Sequence, residues 1–159
     1  MMHLIVSLTS LFPALGMVLS ARPDAGEDDK AAVTRVLTDY YNAFSKLDVQ
    51  AILPYYHEPS LLIGPGAVAA MPTHAAITAT FTPAMEGLRA RGYARSELSM
   101  LHVKRLSATT TLASGIAVRY KADGQELERV GVTYLLHKAD SGWKIAVLVA
   151  HDTLYNSNR

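Results

Sequence analysis

The chain of 159 residues is the size of one domain, and such a domain buries roughly two-thirds of the surface its unfolded chain would expose. Half of the residues are hydrophobic and 18% are charged, which argues against disorder, while 15 Lys and Arg against 14 Asp and Glu leave a net charge of +1. No basic run is present to neutralise a row of phosphates, so nucleic acid is not an expected partner, and the absence of cysteine excludes disulfides, thiolate nucleophiles and sulfur-ligated metals.

Residues 1–26 read as an N-terminal extension or a signal peptide with poor flanks. Leu4 to Leu19 is apolar enough for a signal-peptide core, and Val18 and Ser20 suit a cleavage site before Ala21. No Lys or Arg precedes Arg22, however, and Pro13 and Gly16 interrupt the stretch. It is also shorter than the roughly 20 apolar residues a membrane span needs, so no stable anchor is expected. A cytoplasmic location is slightly favoured over export.

The domain is expected over residues 27–152. Asp28 and Asp29 are candidate caps for a first helix, in which Val33, Val36, Leu37, Tyr40, Phe44 and Leu47 recur on one face. Asp48 caps a second, short helix that Pro54 interrupts and that ends by Pro59. Ser60 to Ile63 reads as a brief strand, paired as a small hairpin across Gly64-Pro65-Gly66. Thr73 caps a third helix carrying Ile77, Phe81, Met85 and Leu88 on one side, with Pro83 inside it and Gly92 as its stop.

From Glu97 the period changes. Glu97 to Leu106, Thr111 to Tyr120, Glu126 to Lys138 and Trp143 to Ala150 read as strands, with Asp123-Gly124 and Asp140-Ser141-Gly142 as tight turns. Consecutive hairpins predict an antiparallel meander, and hence an α+β domain of about three N-terminal helices on a curved antiparallel sheet, with residues 153–159 as a tail. Val130 to Leu136 and Trp143 to Ala150 are apolar at nearly every position, whereas a sheet with one wet face should alternate. Both faces are therefore expected to be covered. The helices can cover one, which predicts a homodimer through the other.

The run Val33-Thr-Arg-Val-Leu-Thr-Asp-Tyr-Tyr-Asn-Ala-Phe-Ser-Lys-Leu-Asp48, followed by Ala51-Ile-Leu-Pro-Tyr-Tyr-His-Glu58, resembles the opening helices of SnoaL-like and related nuclear transport factor 2-like proteins. The closing Asp140-Ser-Gly-Trp-Lys-Ile145 and His151 resemble the last hairpin of that superfamily. The resemblance implies a cone-shaped fold around a pocket for a small apolar or carbonyl-containing molecule. Its members include ketosteroid isomerases, polyketide cyclases, dehydratases, epoxide hydrolases and non-catalytic domains, so the fold alone does not decide function. Tyr40 falls where the isomerases keep their oxyanion-donating phenol. Their general base falls on Gly64 and their second acid near Thr133, so enolisation lacks its first proton acceptor. The cyclases' Asp comes from the strand wall, and Asp152 is the Asp nearest a strand in the closing segment.

The candidate catalytic residues are accordingly Tyr40, His151 and Asp152. The favoured alternative for Tyr40 is a core ring with a satisfied hydroxyl, and for His151 a surface or core imidazole. As strand neighbours, His151 and Asp152 point to opposite faces unless a bulge intervenes. Candidate ligand contacts are Tyr56, His57, Phe81, Arg129 and Thr133. Arg129, Thr133 and His137 share one strand face, while Glu128, Val130, Val132 and Tyr134 share the other, and only one set can line a pocket. Arg129 could also be a charge at the solvent end of its strand. The six His are dispersed without metal-ligand spacing, and no Gly-x-Ser-x-Gly elbow or phosphate loop occurs, so neither metal nor cofactor is expected. The rival reading is a non-catalytic ligand-binding or association domain whose cavity Tyr56, Phe81 and Met85 would fill.

Overall fold

The structure, a computed structural model, describes residues 25–153. Most of the expected extension and tail lie outside the described residues. Helix α1 (Ala25–Phe44) starts before the expected Asp caps. Its buried stripe is Val33, Leu37, Tyr40, Tyr41 and Phe44, at the three- and four-residue spacing of one helical face. Asp29 is turned inward instead of capping. Its carboxylate accepts from Lys138 Nζ at 2.9 Å and pairs with Arg105 Nε at 3.3 Å, tying the start of α1 to the sheet.

Helix α2 (Val49–Ile52) is capped by Asp48, whose side chain accepts from the Gln50 N–H. Pro54 then falls in a single 3-10 turn, Leu53–Tyr55. Strand β1 (Tyr56–Gly64) begins four residues earlier than expected, so Tyr56 and His57 belong to a strand and not to a helix end. Strand β2 (Ala67–Met71) completes the hairpin. Helix α3 (His74–Ala90) carries the Thr73 cap and buries Ile77, Phe81, Met85 and Leu88. It stops at Gly92, which takes a positive φ of 79°.

Strands β3 (Tyr93–Arg105), β4 (Thr110–Lys121), β5 (Glu126–Ala139) and β6 (Gly142–His151) form the expected antiparallel meander. The whole sheet has the order β2-β1-β6-β5-β4-β3 and is mixed, because β1 runs parallel to β6. Its ends do not pair with each other, so it curves without closing. Register shifts interrupt β3–β4 between Ser99 and His102 and β5–β6 between Leu135 and Leu136. Such bulges bend a strand and increase its twist. The helices cover one face, where Ala113, Ala117, Val132, Tyr134, Leu136, Trp143, Ile145 and Leu148 join the helical stripes in a single core.

Candidate functional site

A cavity of about 340 Å³ lies between the two long helices and the covered face of the sheet. Tyr40, Tyr41 and Phe44 enter it from α1, Phe81, Ala84 and Leu88 from α3, Leu62 from β1, Val130, Val132 and Tyr134 from β5, and Leu148 and Ala150 from β6. Most of this wall is apolar, and the polar groups are few and of two kinds.

The first kind is phenolic. The Tyr41 and Tyr134 hydroxyls are 2.6 Å apart, and those of Tyr40 and Tyr56 are 3.0 Å apart. Each pair contains two O–H groups and one shared hydrogen bond, so one hydroxyl hydrogen per pair is left to donate elsewhere. Burial pushes the Tyr40 phenol up to about 12, against which its bond to Tyr56 and the charge of Arg119 act only partly. Burial, reinforced by Tyr40, raises Tyr41 as well, and burial with neighbouring phenols raises Tyr56 and Tyr134 well above the ordinary range. All four therefore stay neutral donors at physiological pH. The rings pack edge to face around Tyr40, with centroids 5.3 Å from Tyr41 and 5.7 Å from Tyr56.

The second kind is guanidinium. Arg119 of β4 and Arg91, just beyond α3, both line the cavity, and Glu128 of β5 bridges them. Arg91 Nη2 lies 2.6 Å from Glu128 Oε2, and Arg119 Nη1 donates to Glu128 Oε1. Burial pushes the Glu128 carboxyl up, but the hydrogen bonds and charges of the two arginines outweigh it and hold it below its usual value. The Arg119 guanidinium also sits over the Phe44 ring, 5.7 Å from its centroid.

The residues expected from sequence divide between the two faces of the sheet. Tyr40 and Phe81 line the cavity. Tyr56 does not line it but is bonded to Tyr40 and packed on Phe81 at 5.4 Å. On β5 the cavity-facing set is Val130, Val132 and Tyr134, so alternation puts Thr133 on the uncovered face, and His151, paired with Gly131, lies there too. Of the two β5 sets left open by the sequence, the cavity thus takes the Val130 set, and His151, Arg129 and Thr133 lie across the sheet from Tyr40. Arg129 is exposed and holds Glu126 in a bidentate pair at 2.6 and 2.7 Å. Asp152 is exposed, and its backbone carbonyl, not its carboxylate, meets His151. His151 Nδ1–H donates to that carbonyl at 2.9 Å, which in the neutral ring makes Nε2 the acceptor for the Thr133 hydroxyl at 3.1 Å. His57 stacks edge to face on His137 in a more open hollow on the uncovered face, with Pro59, Thr110, Leu135 and Ala146.

Sequence reasoning missed Arg91, Arg119 and Tyr41 as cavity residues, and left Tyr134 in one of two alternative strand sets. The signal for Tyr41 and Tyr134 was present in the wide helical stripe and in the Val130-Val132-Tyr134 parity. Nothing local announced that arginines from two elements would meet at Glu128. Among the described residues no group of three or more His, Asp or Glu could hold a metal ion, and no helix is long and apolar enough to cross a membrane.

Three helices over a curved, unclosed six-stranded sheet with a cavity between them define the nuclear transport factor 2-like, or NTF2-like, class. The family model for NTF2-like protein (DUF6841) matches residues 28–153, and the chain belongs to that family. Solved structures agree on the fold. An NTF2-like protein with a cystatin-like fold from Novosphingobium aromaticivorans superposes with a TM-score of 0.67 at 17% identity, over 80% of this chain and 83% of that one. An NTF2-like protein of unknown function from Shewanella oneidensis gives 0.63 at 17% identity, over 77% and 98% of the two chains. A ketosteroid isomerase-like protein from Erwinia carotovora atroseptica gives 0.57 at 19% identity, over 77% and 95%. No curated protein matches the sequence significantly.

Proposed function

We propose that this is a pocket domain of SnoaL-like type that binds a small, largely apolar molecule bearing a carbonyl oxygen, held by hydrogen bonds from the tyrosine pairs. The observation that carries this reading is the cavity itself, with its apolar wall and one uncommitted hydroxyl hydrogen in each phenol pair. A fixed, neutral O–H donor in a water-poor site polarises a carbonyl oxygen and stabilises negative charge that develops on it. Among the described residues no carboxylate or imidazole lines the cavity to take a proton, so the chemistry supported by this wall is binding and polarisation.

The test is a thermal-shift titration with octanamide, an apolar chain ending in a carbonyl, on the wild type and on Ala150→Trp, which fills the cavity from β6. A ligand at about one hundred times its Kd adds roughly 2.7 kcal/mol of stability. Stabilisation of the wild type and none of the folded Ala150→Trp variant is the expected result. Equal stabilisation of both places binding elsewhere.

A second reading is favoured by the uncovered face. Cross-strand partners share a face, and Leu61 with Val147, Ile63 with Val149 and Leu112 with Leu135 make that surface broadly apolar. Association of two copies through it is compatible with a ligand in the cavity, which lies on the other side of the sheet. Light scattering at micromolar concentration should give twice the monomer mass, and a monomer alone contradicts this reading.

A further inference from the structure

We propose that the ligand of the cavity is an anion, a carboxylate carried on an apolar body, recognised by Arg119 and Arg91. This deepens the cavity reading above and rests on it. Among the described residues, the charged ones in the lining are these two arginines. Glu128 bridges them but is not itself in the lining, so the cavity sees two guanidinium groups and its surroundings keep one net positive charge.

The donors are not exhausted. A guanidinium offers five N–H groups, and the carboxylate of Glu128 engages Nη1 of Arg119 and Nη2 of Arg91. Among the described residues the Arg119 side chain makes no other hydrogen bond, and its guanidinium sits over the face of Phe44. Glu128 thus engages both guanidinium groups without saturating them. The spare phenol hydrogens are donors too. The uncommitted polar hydrogens around the cavity therefore call for a partner that only accepts, and an ionised carboxylate is such a group. A single charge matches the single surplus positive charge, and the aromatic and aliphatic wall matches an apolar body. Arg119 is also close enough to Tyr40 and Tyr41 for its charge to act on both phenols.

Calorimetric titration with octanoate, octanamide and octylammonium separates charge from chain, since the three share one apolar tail. In the wild type octanoate is expected to bind about tenfold or more tightly than octanamide, the ratio given by one charge-assisted hydrogen bond in place of a neutral one, and octylammonium not measurably. Arg119→Gln should erase the preference for octanoate while leaving octanamide affinity in place. Glu128→Gln should act in the opposite direction, because it removes the competing carboxylate and raises the surplus charge by one. Tighter octanoate binding in that variant, with octanamide unchanged, is a gain that loss of folding cannot imitate. Equal affinities for octanoate and octanamide in the wild type overturn the anion proposal and leave the cavity reading standing. If no probe binds, both fall. Weaker octanoate binding in Glu128→Gln overturns the role given to the two arginines even if Arg119→Gln does not fold.

Discussion

The phenol pair between α1 and β5 gives a prediction whose size follows from its geometry. Tyr41 and Tyr134 are 7% and 1% exposed, and their hydroxyls meet at 2.6 Å. Replacing either by Phe removes one hydroxyl and leaves the other without its protein partner. A buried polar group left unpaired costs about 1–3 kcal/mol, whereas replacing both partners by apolar groups of the same shape can be nearly neutral. Because both rings border the cavity, a water there could meet the remaining hydroxyl, which places each single variant near the low end, about 1–1.5 kcal/mol. At roughly 3 °C per kcal/mol for a domain of this size, each single variant should lower Tm by about 3–5 °C. The double variant should cost less than the sum of the singles, with a coupling of at least about 1 kcal/mol. Urea denaturation of the four proteins of the cycle measures this. Additive losses within about 0.5 kcal/mol would refute the reasoning, since they would mean that the two hydroxyls do not depend on each other.

Three further outcomes follow from contacts elsewhere. Asp29→Ala should destabilise the fold by about 1–3 kcal/mol, while Arg105→Ala with Lys138→Ala should cost more, because the first leaves two partly exposed cations to regain water and the second leaves a carboxylate buried alone; urea midpoints compare them. The raised phenols predict alkaline sensitivity: with Tyr40 moved from 10.0 to about 12, the unfolded chain ionises first, so this part of the stability is intact below pH 10 and lost as pH rises from 10 through 12. Denaturation midpoints that stay level across that window contradict the burial of these hydroxyls. Gly131→Val places a Cβ that would meet His151 Nδ1 at 2.4 Å and the Asp152 carbonyl at 2.9 Å, so the imidazole must leave Thr133 and stability should fall by about 1–3 kcal/mol. An unchanged His151 ring environment by NMR in that variant would show that the ring does not lie on Gly131.

Local signals carried most of the architecture. Asp48 and Thr73 act as caps because a short polar side chain can reach an unpaired N–H of the first turn. Gly92, Gly124 and Gly142 mark ends and turns because each takes a positive φ. What stayed hidden depends on pairing across the chain. The parallel contact of β1 with β6 draws Tyr56 and His57 into a strand, and no local pattern reports that partner. Face assignment on β5 stayed open from sequence for a definite reason. Val130, Val132 and Tyr134 alternate with Gly131, Thr133 and Leu135, and both sets are compatible with burial, so a period of two carries no direction. The same two-sided apolarity that motivated the dimer reading therefore concealed which residues reach the cavity. Asp29 had the sequence position of a cap, yet Arg105 and Lys138, some 75 to 110 residues away, turn it inward.

The central claim is that the cavity between the helices and the sheet takes the ligand, and methyl-resolved NMR of the wild type during octanamide titration tests it most directly. The account predicts saturable shifts at Leu62, Leu88, Val130, Val132 and Leu148, which line that cavity. Shifts confined to Leu135 and its neighbours around His57 and His137, on the uncovered face, would contradict it.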